Sequence, residues 1–189
     1  MAMEDEFDAL VRGFIHATGS IEPHYFQLPI AGQEEPSYRE RVYCYELYHQ
    51  LRSLLDRDRF PYFLNGEVDK GGHPLLSNDI GPRKPDFIVH VPGGMRRNLA
   101  VIEVKPINST LNDFREALRS LRSFLERAGY FGAIALVYGS GDGRGWATVF
   151  DDTLGDLAPK PVLLIQHEKA EQSATIVRDL RQSRNTAVR

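Results

Sequence analysis

Two short runs decide how this chain folds: Pro85-Asp86-Phe87-Ile88-Val89-His90-Val91 and Leu99-Ala100-Val101-Ile102-Glu103-Val104-Lys105. Both are rich in β-branched residues, and Pro92-Gly93-Gly94 between them is turn chemistry. They read as an antiparallel hairpin. Side chains alternate along a strand, so Glu103 and Lys105 share one face and Val104 takes the other. Asp86 opens the partner strand. The hairpin therefore sets two carboxylates and an ammonium close together. The apolar run before Glu103, and a second one at Ile134-Ala135-Leu136-Val137, belong near the middle of a sheet. Charge in such a place costs free energy unless it is paired or used.

Working outward, residues 4–17 space Phe7, Leu10, Val11, Phe14 and Ile15 as one helical face. Three prolines and two glycines make 19–36 a loop. A helix is expected over 37–57, with Ser37 as N-cap and Glu40 completing a capping box. Residues 60–68 read as a strand, and 69–84 as a long loop of the size that is often functional. After the hairpin, 111–128 has helical periodicity closed by Gly129. Residues 132–138 form a nearly continuous apolar run, as in a strand covered on both faces. Further strands are expected at 146–150 and 162–166, and a final amphipathic helix at 170–184.

The residue types at the hairpin point to metal-assisted phosphate chemistry. Hard cations such as Mg²⁺ or Mn²⁺ take oxygen ligands from one or two carboxylates, plus water and substrate phosphate. Asp86 and Glu103 suit that role, and the Val104 carbonyl is a further donor. The Lys105 ammonium suits orientation of an attacking water and stabilisation of charge on the phosphate.

The pattern Pro85-Asp86, sixteen intervening residues, then Glu103-Val104-Lys105 resembles the PD-(D/E)XK nuclease superfamily. The element order over residues 37–139 also resembles that family's core. The resemblance implies an α/β, restriction-endonuclease-like αβββαβ core: a central mixed sheet flanked by helices, here with extra C-terminal strands and a helix. The corresponding division is 1–36 as N-terminal helix and linker, 37–168 as the nuclease-like domain and 169–189 as C-terminal helix and tail. It further implies a Mg²⁺- or Mn²⁺-dependent endonuclease acting on DNA, with RNA not excluded. Asp86, Glu103 and Lys105 are the implied catalytic residues, and Asp86, Glu103 and Val104 the implied metal ligands. The family often places another acid in the first helix, where Glu46 is the best match and Glu40 the second. Arg115 and Arg119, with Lys70, are candidates for the nucleic-acid backbone. A homodimer or a targeting partner protein is a family expectation.

Plainer readings of the same residues stand beside these. Glu103 and Lys105 also fit a cross-strand charge pair on an exposed face, worth a fraction of a kcal/mol. Glu46 fits a surface helical position, and the arginine stripe fits a solvated face. In the segment from Gly66 to Pro74, Glu67 and Asp69 can supplement a metal shell and Lys70 and His73 can touch phosphate, or the whole is a polar loop. His90 reads as structural. The glycine-rich 139–145 lacks the Lys-Ser/Thr ending of a phosphate loop and reads as a flexible hairpin connection.

Composition limits the field. With 42% hydrophobic and 26% charged residues, the 189-residue chain can build a core without staples. The net charge of −3 argues against a stand-alone, high-affinity DNA binder, though a bound cation would alter that balance. The one cysteine, Cys44, lies in a helical apolar pattern and reads as core. The acidic start and the lack of a spanning apolar run predict a cytoplasmic protein. A non-catalytic interaction module with the nuclease fold, and a hydrolase of small phosphorylated or nucleotide substrates, are the rival functional classes.

Overall fold

The computed structural model describes residues 2–67, 84–94, 96–141 and 144–182. Helix α1 (Met3–Thr18) and the short α2 (Pro23–Phe26) lead to α3 (Glu40–Arg57). Strands β1 (Phe63–Gly66), β2 (Phe87–His90) and β3 (Asn98–Pro106) follow, then α4 (Leu111–Arg127), β4 (Gly132–Tyr138), α5 (Arg144–Leu154), β5 (Val162–His167) and β6 (Thr175–Asp179). The six strands form one sheet in sequence order. The first three make an antiparallel meander, β3, β4 and β5 run parallel, and β6 returns antiparallel to β5.

Parallel neighbours need a crossover, and α4 and α5 supply the two. Both pack on one face of the sheet, where Phe114, Leu118, Leu121, Trp146 and Phe150 meet Val101, Ala135 and Leu164. The opposite face is covered by α1 and α3, through Phe7, Leu10, Phe14, Tyr43, Leu47 and Leu51 against Ile102, Val104 and Leu136. The result is a three-layer α/β/α sandwich with a mixed sheet. Helix α1 shares the sheet's own core. Among the described residues no helix is long and apolar enough to cross a membrane.

Three expectations are corrected. Residues 146–150 lie in helix α5, not a strand. Their apolar positions, Trp146, Ala147, Val149 and Phe150, follow helical spacing, and the link between parallel β4 and β5 has to cross a sheet face. The C-terminal stretch holds strand β6 rather than a helix over 170–184; pairing with β5, not an apolar stripe of its own, makes it a strand. Ser37 does not cap α3: Arg39 is the N-cap, while Ser37 bridges Leu28 through the backbone. The α4 prediction stands at its N-terminus with a detail added. The Thr110 hydroxyl accepts from the Asp113 amide at 3.1 Å and Asp113 accepts from the Thr110 amide at 3.2 Å, a closed capping box.

Candidate active site

The register of the hairpin builds the site. Phe87 pairs with Ile102 and Ile88 with Val101, so one step further sets Asp86 opposite Glu103. Strand β2 begins at Phe87, so among the described residues the carboxyl half of β3 has no antiparallel neighbour. Asp86 occupies that edge, and its Oδ2 accepts the Val104 amide at 2.7 Å. The N–H and C=O of one strand residue point to the same side, so the Val104 carbonyl also faces this unpaired edge. Alternation carries Glu103 and Lys105 to the α4 face, while Ile102 and Val104 pack against α1 and α3.

Glu103 is 8% exposed and Asp86 half-buried. Burial pushes the Glu103 carboxyl up to about 8; the Asp86 charge adds to this and Lys105 opposes it. Burial likewise raises Asp86 to about 6, held back by Lys105 and by the Val104 amide. Burial alone would lower the Lys105 ammonium, but Asp86, Glu40 and Glu103 outweigh it and keep it raised. The site is thus short of positive charge: a buried and a half-buried acid face one lysine. The buried Ser120 hydroxyl stands beside Glu103, favours its ionised form, and makes no hydrogen bond of ordinary geometry.

The first-helix acid that reaches this point is Glu40. Lys105 Nζ donates to Glu40 Oε2 at 2.9 Å. Glu46 lies farther along α3, half-buried, and accepts from the Gln50 side chain at 2.6 Å. Glu40 also borders a cleft of about 500 Å³ with Lys84, Glu103, Lys105, Glu116 and Ser120. Residues 113, 116, 117 and 120 form the α4 stripe on this cleft, whereas Arg115, Arg119 and Arg122 recur on another side of the helix. Arg119 pairs with Glu116 at 3.1 Å, and Arg122 binds Asp156 and the Thr153 carbonyl, linking α4 to the end of α5. The arginine stripe does not line the cleft; its basic side chains there are Lys84 and Lys105. Lys70, Asp69 and His73 lie outside the described residues. His90 is buried against Asn65, 2.9 Å from its Oδ1, and Cys44 is buried.

Sequence reasoning ranked Glu46 above Glu40 and missed Ser120 and Lys84. Ser120 carried a usable signal, since it stands seven residues after Asp113 on the face that meets β3.

Among the described residues no three His, Cys, Asp or Glu side chains form a ready-made metal cluster. The donor set still fits a hard cation that retains several waters. It offers the buried Glu103 and half-buried Asp86 carboxylates, the Val104 carbonyl at the strand edge and a Ser120 hydroxyl without a partner of ordinary geometry among the described residues. Asp113 and Glu116 fit less well, because the capping box and Arg119 already engage them. No protein-family model matches this chain, and no curated protein matches it either.

Proposed function

We propose that the chain is a divalent-metal-dependent nuclease of the PD-(D/E)XK type, acting as an endonuclease on DNA, with a restriction-endonuclease-like core over α3 to β4. The observation that carries this reading is the convergence of Asp86, Glu103 and Lys105 at the unpaired edge of β3, joined by Glu40 from α3. Two adjacent acids with raised proton affinity, one of them buried, are costly to keep for structure alone. Asp86 and Glu103 would hold Mg²⁺ or Mn²⁺, with the Val104 carbonyl as third donor. When bound, the cation supplies Lewis-acid chemistry, polarising phosphate and acidifying water. Lys105 holds the attacking water and neutralises charge that grows on the phosphate. Glu40 fixes the ammonium's position through their 2.9 Å contact. Among the described residues the cleft lining holds more acids than bases, so it needs a cation to attract a polyanion.

The test is a supercoiled plasmid incubated with Mg²⁺ or Mn²⁺ and wild type, Glu103→Ala or Lys105→Ala. Only wild type should cut; equal cutting by all three would mean contamination. The same acidic lining favours a second reading, a non-catalytic interaction module that retains the fold. Calorimetric titration with Mn²⁺ separates the two, because the module would show no binding that Asp86→Ala abolishes.

A further inference from the structure

Glu40 and Asp86 form one wall of a second cleft, of about 550 Å³, on the α3 side of the candidate site. Its character differs from the first. Tyr45, Tyr48, Phe87, Asn65 and Arg41 border it. Tyr45 is 63% exposed, so its ring is open to a ligand from solvent. Tyr48 is fixed by donating to the Leu64 carbonyl at 3.2 Å, with its ring 6.2 Å from that of Phe87 and tilted by 31°. Arg41 extends at the mouth and pairs with Glu67 at 3.4 Å. Glu67 itself has a left-handed backbone, φ +46, and its amide binds the Asp86 carbonyl at 3.1 Å. Such strain beside a site is held only where surrounding contacts impose it.

We propose that this second cleft binds a single unstacked nucleobase next to the scissile phosphate, so that the preferred substrate is single-stranded DNA. The inference rests on the nuclease reading and names its substrate. A phosphate bound through a cation on Asp86 and Glu103 would set its neighbouring nucleoside at the aromatic cleft, because Asp86 lines that cleft and Glu40 borders both clefts. The volume suits one small planar ligand. Every base has a π-face, and aromatic platforms beside a phosphate track bind single strands with little sequence preference. Bases inside an intact duplex are stacked and cannot enter without being turned out. Tyr45 is the platform, Tyr48 and Phe87 are the inner wall, and Arg41 serves the adjoining backbone.

The test uses the full chain with Ca²⁺ replacing Mg²⁺, and an oligodeoxythymidylate carrying one 2-aminopurine. The base should be quenched on binding. Tyr45→Ala should weaken binding about tenfold and relieve the quenching, while Tyr45→Phe retains both. Tyr45 is exposed, so its truncation leaves the core intact. Equal affinity for a blunt duplex or an abasic strand, an unaffected Tyr45→Ala, or a free deoxynucleoside monophosphate binding as tightly as the strand would each overturn the proposal. Cleavage in Mg²⁺ separates the two inferences. A wild type that cuts plasmid and ignores Tyr45→Ala keeps the nuclease and loses the base cleft. A strand that is bound and quenched but never cut does the reverse.

Discussion

The Lys105 ammonium donates to the Glu40 carboxylate at 2.9 Å, across 65 positions of sequence. This contact joins the amino end of α3 to the carboxyl half of β3. It also places a third acid beside Asp86 and Glu103, whose charges act on the same lysine.

The first prediction concerns stability without metal. Burial pushes Glu103 up to about 8 and Asp86 up to about 6, so the folded protein keeps protons that the unfolded chain has released. The stability from these groups is fully present below the ordinary carboxyl range and is lost as pH rises through about 8. His167, pushed down to about 4 by burial, acts oppositely, but only below its ordinary value of 6.5. Urea unfolding in chelator should therefore show a fall on the order of 1 kcal/mol or more between roughly pH 6.5 and pH 8.5. Glu103→Gln should flatten that slope; a rise over the same interval in wild type would contradict it.

Cation binding should run the other way with pH. The carboxylates must lose protons to act as ligands, so Mn²⁺ affinity should increase from about pH 6 to about pH 8.5 with proton release. Calorimetry in two buffers of different ionisation enthalpy reads that release directly. Asp86→Ala and Glu103→Ala should abolish the heat, and pH-independent binding would place the cation elsewhere.

Lys105 separates binding from chemistry. Lys105→Met removes the charge and keeps much of the stem, so Mn²⁺ should bind at least as well while cleavage falls roughly 10²- to 10³-fold. A variant that cuts normally would leave the lysine a purely structural role.

The two candidate acids of α3 should diverge. Glu40→Ala frees the Lys105 ammonium and should lower cleavage by at least about tenfold, with a loss of metal-free stability of under ~1 kcal/mol for this partly exposed pair. Glu46→Ala loses a contact with Gln50 and should leave cleavage rates within about twofold. Rates that fall with Glu46 and not with Glu40 would reverse the assignment.

The last prediction concerns α1. A methyl group on Gly132 would meet Phe7 Cε2 at 2.4 Å and the Pro161 carbonyl oxygen at 2.7 Å. Gly132→Ala should cost about 2 kcal/mol in urea unfolding. An unchanged midpoint would show that α1 does not press on the start of β4.

Local pattern in the sequence determined much of this protein. The period of apolar residues marked α1, α3 and α4, and the strand alternation put Glu103 and Lys105 on one face with Val104 on the other. The turn residues at 92–94 made β2 and β3 a hairpin, which brought Asp86 to Glu103. Pairing and crossover lay beyond local pattern. Trp146, Val149 and Phe150 suit a strand by residue type, yet they lie in a helix because parallel β4 and β5 demand one between them. Strand β6 carries exposed Ile176 and Arg178 and exists through its hydrogen bonds to β5. Glu40 and Glu46 look alike along α3. Only the docking of that helix decides between them, because it brings Glu40 at its amino end to Lys105, while Glu46 meets Gln50.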